Sequence, residues 1–153
     1  MKSEELMTLG MRNNNPLNIR KVPGTHWEGE LPQSSSPLRG GREGAPFCHF
    51  TTLEHGIRAA FQILDTYRQK HHAVCIEDII SRWAPPSENN TEAYIHSVCT
   101  LTGFGGKERL TEAEWPALVK AMALIESRMH LDESILKTAY NLYLNLKTQQ
   151  LKN

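Results

Sequence analysis

Ile57, Ala60, Phe61, Leu64 and Tyr67 recur three and four residues apart, the spacing that places side chains on one face of an α-helix. The same pattern returns in Ile76, Ile79, Ile80 and Trp83, in Tyr94, Ile95 and Val98, in Leu118, Met122 and Ile125, and in Ile135, Leu136, Ala139, Leu142 and Tyr143. A chain patterned this way has apolar stripes that only helix-on-helix packing can bury, so a mainly α body of about five helices is expected. Local signals set its boundaries. Thr51-Thr52-Leu53-Glu54 reads as a capping box opening the first helix, which ends near Lys70. Pro85-Pro86 must stop the second, and the third begins after Asn90. Gly103 to Gly106 is a turn-rich break. Thr111-Glu112-Ala113-Glu114 is a second capping box, with Pro116 leaving the start of the fourth helix open by a few residues, and Asp132 can cap the last.

The 40 residues before this body read differently. NNNP at 13–16, SSSP at 34–37 and RGGREGAP at 39–46 mark residues 11–50 as a loop-rich front with a short β-hairpin, and Ser34–Gly44 as its most mobile loop. Leu17, Ile19, Trp27, Phe47 and Phe50 are its apolar anchors, and Phe47 to Phe50 suggests a short extended segment docked on the core. The expected organisation is one domain over residues 1–153, with the helical body at 51–147. At 153 residues and 39% hydrophobic content, one core is what the chain can fill.

A formal net charge of zero argues against a general nucleic-acid binder, which needs a clustered basic surface to displace counterions. No stretch approaches the roughly 20 apolar residues of a membrane span. MKSEELMTLG has no apolar core of signal-peptide length, so the protein is expected either to stay in the cytoplasm where it is made or to leave by a route that needs no cleaved signal, such as cell lysis or packaging into a phage particle. Cys48, Cys75 and Cys99 are widely spaced without a CxxC pair and read as buried free thiols; neither a metal nor an organic cofactor is expected.

Three polar clusters can carry chemistry. Arg12-Asn13-Asn14-Asn15-Pro16-Leu17-Asn18-Ile19-Arg20 holds four asparagines and two arginines, either to bind N-acetyl amides and hydroxyls or to hold a loop by Asx-turns. In Arg82-Trp83-Ala84-Pro85-Pro86-Ser87-Glu88-Asn89-Asn90-Thr91, followed by Tyr94, a double-proline turn sets Glu88 at a helix mouth beside an aromatic face. There Glu88 is an acid or base, or else Glu88 or Asn90 caps the next helix while Trp83 fills the core. Glu126, in Ala123-Leu124-Ile125-Glu126-Ser127, lies among Met122, Ile125 and Met129 at helical spacing. Poor solvation would raise its pKa toward that of a general acid; a surface glutamate paired with Lys120 or Arg128 is the alternative.

RNNNPLNIR, the W-E-G at Trp27, F-x-x-F-x-x-x-x-x-G-I-R-A-A through Ala60 and RWAPPSENNTEAY together resemble a family of small bacterial and phage proteins, usually labelled phage structural or virion proteins. The resemblance covers nearly all of the chain. More distantly, the chain resembles cell-wall glucosaminidases of the lysozyme superfamily. Those present a helix ending in A-x-x-E-S-G with the catalytic glutamate, then an N-L-F-G-I-K segment, an F-x-x-Y motif leading into a helix, and a Tyr-Ala-Thr turn followed by a tyrosine. Asn15 through Arg20 resembles the second of these, Phe47 through Tyr67 the third, and Trp83-Ala84 through Tyr94 the fourth. Ala121 through Ser127 resembles the first but lies near the C-terminus, with Arg128 in the place of the glycine.

The resemblance implies a circularly permuted, lysozyme-like helical domain in which Glu126 returns beside the asparagine segment. It implies a glycosidase or lytic transglycosylase acting on peptidoglycan. Glu126 would protonate the glycosidic oxygen and Glu88 would be the candidate second carboxylate. Asn14, Asn15, Asn18, Arg20 and Tyr94 would hold the N-acetylated sugar, with Trp83 stacked on it. The alternative is a non-catalytic virion or wall-binding module using the same polar groups, with phage virion components as partners.

Overall fold

The computed structural model describes residues 7–32, 46–87 and 89–152. In chain order these form α1 (Leu9–Asn13), β1 (Glu30–Leu31), β2 (His49–Phe50), α2 (Leu53–His71), α3 (Ile76–Trp83), α4 (Thr91–Thr102), a 3-10 turn (Glu112–Glu114), α5 (Trp115–Ser127) and α6 (Glu133–Lys152). The protein is mainly helical, with one small antiparallel pair in which Glu30 faces Phe50 and Leu31 faces His49. The segment Ser34–Gly44 lies outside the described residues.

Most helix ends fall where a local signal sets them. Asn90 caps α4 by accepting from Ala93 N–H at 3.1 Å, and Asp132 caps α6 by accepting from Ile135 N–H at 3.0 Å. Thr111 N–H donates to Glu114 Oε1 at 2.8 Å, the reciprocal half of a capping box ahead of α5. Pro116 sits in the first turn of α5, where its missing N–H costs nothing.

The five expected helices are all present, and among the described residues a short sixth, α1, forms inside the asparagine- and glycine-rich front; Thr8 Oγ1 caps it, accepting from Met11 N–H at 3.3 Å. One boundary needs correction. The N-cap of α2 is Thr52, whose Oγ1 accepts from His55 N–H at 3.1 Å, so the box built on Thr51 and Glu54 is displaced by one residue. Thr51 is still tied to the sheet, its N–H donating to Gly29 O at 2.8 Å.

Helices α2 and α6 pack along one another, and α5 lies against α1, α2, α4 and α6. That many neighbours explain why α5 is apolar almost all round, with Leu118, Val119, Met122 and Ala123 fully buried. Each such side chain of leucine size contributes about 2 kcal/mol of hydrophobic stabilisation. Phe61 meets Tyr140 edge-on at 5.3 Å between ring centroids. Leu17, Ile19, Cys48 and Phe50 from the front join the same buried cluster, while Trp27 and Phe47 are half-buried. Cys48 and Cys75 are buried free thiols and Cys99 is half-buried; burial pushes the Cys48 thiol up to about 12. Among the described residues no helix is long and apolar enough to cross a membrane.

The α2–α6 seam carries a charge network. Tyr143 OH donates to Glu112 Oε2 at 2.7 Å, Lys147 Nζ lies 3.2 Å from the same oxygen, and Arg68 Nη2 bridges Asp65 at 2.6 Å and Glu112 at 3.6 Å.

Candidate functional site

The front reaches the end of α5 through unusually close backbone approach. A Cβ on Gly10 would stand 1.9 Å from Ser127 Oγ, so only glycine lets α1 lie this near α5. Ser127 Oγ donates to Pro16 O at 2.8 Å and Thr8 Oγ1 donates to Ser127 O at 2.9 Å. These bonds lock the residue after Glu126 to both sides of the asparagine segment.

Within that segment the asparagines divide the work. Asn14 and Asn18 adopt left-handed backbone at φ 53° and 51°, a conformation asparagine tolerates better than most residues. Asn14 Nδ2 donates to Phe50 O at 3.1 Å. Asn15 is fully buried; its Nδ2 donates to Ile19 O at 3.0 Å and Cys48 O at 2.9 Å, and its Oδ1 accepts from Ile19 N–H at 2.9 Å. Asn15 therefore has no donor left for a sugar, and Asn14 serves as a backbone tie. The fully buried Asn15 is thereby withdrawn from the ligand-binding role expected of it, and both amides are committed to backbone carbonyls that their exposure would orphan.

Asn18 is different. Its Nδ2 donates to Glu126 O at 3.3 Å and, weakly, to Glu126 Oε1 at 3.4 Å, while its buried Oδ1 has no partner among the described residues. From α4, Tyr94 OH donates to Glu126 Oε2 at 2.9 Å. Glu126 is half-buried. Burial raises its pKa, and the Tyr94 and Asn18 hydrogen bonds and the Arg20 charge offset this only in part, leaving it above the ordinary 4.5. Burial, then the Glu126 charge, push the Tyr94 phenol well up. Lys120 pairs with Glu133 at 2.7 Å, not with Glu126.

Arg128, where the resemblance has glycine, closes α5 in left-handed conformation at φ 52°, its N–H donating to Leu124 O at 3.0 Å. The backbone demand that glycine would meet is intact, and a side chain bears the strain.

Glu126 and Asn18 face a cleft of about 560 Å³, walled by Arg20 and Phe47 from the front, Tyr67 from α2, and Arg82 and Trp83 from α3. Trp83 packs edge-on against Tyr67 at 6.2 Å between centroids, leaving it between core and cleft. Of the expected site residues, the structure brings together Asn18, Arg20, Trp83, Tyr94 and Glu126. Glu88 lies outside the described residues, although its neighbour Asn89 lines the cleft. Sequence reasoning missed Tyr67 and Phe47 as walls, since periodicity and apolarity mark both simply as packing residues, and it gave Arg82 no role. A second groove of about 480 Å³, between α4, α5 and α6 and lined by Leu101, Ala117 and Leu124, holds none of the expected residues. Among the described residues no cluster of His, Cys, Asp or Glu is placed to hold a metal.

No family model matches the chain. Over 120 residues, which are 77% of this chain and 70% of the relative, it is 42% identical to Protein P5 of Pseudoalteromonas phage PM2. The chain belongs to the family of that phage protein. This kinship bears out the phage half of the family resemblance and carries no information on bond cleavage.

Proposed function

We propose that the chain is a phage virion component whose cleft engages the glycan of the bacterial cell wall, with Glu126 as general acid of a glycosidase or lytic transglycosylase. The observation that carries this is the Glu126 carboxyl, its pKa raised by burial and held at the cleft by Tyr94 at 2.9 Å and by Asn18. A carboxyl that stays protonated further toward neutral pH can donate to a glycosidic oxygen, and two fixed donors orient it. The vacant acceptor of Asn18 suits the N–H of an acetamido group. Glu126 beside the asparagine segment is also the juxtaposition that a permuted lysozyme-like arrangement requires.

A second reading keeps the virion role and drops the cleavage. It is favoured by kinship with a phage protein and by a cleft in which Glu126 is the sole carboxylate among the described lining residues. A zymogram on purified peptidoglycan separates the two. Cleavage predicts clearing by the wild type and none by Glu126→Gln, an isosteric change that keeps an acceptor for Tyr94. Equal clearing by both sinks Glu126 as the acid, and clearing by neither, with retained sedimentation on sacculi, favours the binding module.

A further inference from the structure

The two arginines of the cleft are held in a way that surface arginines usually are not. Arg20 Cζ lies 5.4 Å from the centroid of Phe47, and Arg82 Cζ lies 5.9 Å from that of Tyr67, with Arg82 Nη2 also 2.6 Å from His71 Nδ1. All four of Arg20, Phe47, Tyr67 and Arg82 line the cleft. Neither arginine forms an ion pair with a carboxylate among the described residues, whereas Arg68, Lys21, Lys120 and Lys147 all do. Both remain exposed at the cleft walls, and Arg20 is close enough for its charge to act on Glu126.

We propose that Arg20 and Arg82 make the cleft selective for a glycan strand bearing carboxylates over a neutral strand. The inference rests on the glycan reading of the same site and adds its charge specificity. A guanidinium stacked on an aromatic ring keeps its plane and its in-plane N–H fork oriented, which is the geometry a carboxylate takes bidentately. Two such forks walling one cleft repay an anionic ligand. A neutral strand would desolvate both cations and offer them only uncharged hydroxyl and amide acceptors, which repay that cost less than a carboxylate does. The carboxylate has two sources in peptidoglycan: the lactyl ether of the sugar once its peptide is removed, and the stem peptide itself.

The test is binding by the Glu126→Gln protein, in which no bond is broken. Three probes are compared by titration calorimetry: peptide-free peptidoglycan glycan, peptide-bearing peptidoglycan fragments and chitohexaose. The expected result is at least tenfold tighter binding of one or both carboxylated probes than of chitohexaose, and whichever binds tightly identifies the source. Adding Arg20→Gln or Arg82→Gln should lower that ratio at least fivefold. Arg20→Lys and Arg82→Lys, which keep the charge without the fork, should give intermediate ratios and cover the case of a glutamine variant that fails to fold. Equal affinity for all three probes, or a ratio unmoved by either glutamine variant, overturns the selectivity and leaves the glycan reading standing. Binding of none of the probes overturns the glycan reading and the selectivity with it.

Discussion

Two glutamates in this protein each accept a hydrogen bond from a buried tyrosine, yet their acidities move in opposite directions. Tyr94 OH reaches Glu126 at 2.9 Å and Tyr143 OH reaches Glu112 at 2.7 Å. Burial raises the pKa of both. At Glu112 it is outweighed by the Tyr143 and Lys147 hydrogen bonds and by the Lys147 and Arg68 charges, and the pKa falls. At Glu126 burial prevails, because the one cationic contribution, from Arg20, is the smallest of its causes and no ion pair forms among the described residues. The tyrosine is common to both; the cations at contact distance decide the sign. One arrangement binds α2 to α6, and the other leaves a carboxyl suited to proton donation facing a cleft.

The sharpest way to break this contrast is to neutralise each glutamate in turn. Glu126→Gln should lower peptidoglycan clearing by at least about a hundredfold, the usual range for loss of a general acid, while Glu112→Gln leaves clearing in place; dye-release assays on labelled sacculi read both. In chemical denaturation the order reverses. Glu112→Gln should cost about 2 kcal/mol, because it removes the charged acceptor of a buried tyrosine and a lysine, whereas Glu126→Gln should change stability at neutral pH little or favourably. Equal losses for the two variants would end the distinction.

The pH dependence of stability sharpens it further. The Glu112 pKa is depressed in the folded state, so its contribution is present above the ordinary carboxyl pKa and is lost as the pH falls through the folded value. The Glu126 pKa is raised, so the folded state binds its proton more tightly, and stability declines as the pH rises from the ordinary 4.5 through the folded value. Unfolding curves across this range should show a smaller acid-side fall in Glu112→Gln, with the share of Asp132 remaining, and a smaller decline above pH 4.5 in Glu126→Gln. Tyr94→Phe removes a bond that favours the ionised form, so the basic limb of any clearing-versus-pH profile should move to higher pH. The smallest effect concerns the backbone behind the site: Arg128→Gly should stabilise the fold by about 1 kcal/mol, since glycine adopts this left-handed conformation without strain. An unchanged melting curve would show that the side chain of Arg128 makes compensating contacts.

Much of the helical body was legible because its signals are short-range. A cap such as Asn90 acts three residues along, and the proline pair stops α3 by steric clash with its immediate neighbours. The misplacement at Thr51 is instructive. Two successive threonines offer equivalent caps locally, and only the pairing of Thr51 with Gly29 across the sheet selects Thr52. The asparagine segment was legible as special and not as to why. Four similar side chains in six residues have the same chemistry on paper, but Asn15 is spent on carbonyls as far away as Cys48 and Asn18 on a glutamate 108 residues distant.

The amino-acid sequence by itself determined the mainly helical class and most helix ends, which follow from periodicity or from bonds closed within a few residues, while the short list containing Glu126, Asn18 and Tyr94 came from the family resemblance. Only the tertiary structure decided that Glu126 is held by Tyr94 and Asn18 and freed from Lys120, that Asn14 and Asn15 are ties within the backbone, and that Arg20 and Arg82 wall one cleft without a carboxylate partner among the described residues. Acidity depends on burial and on charges within a few ångströms, and those neighbours are set by packing between helices, to which local sequence is blind.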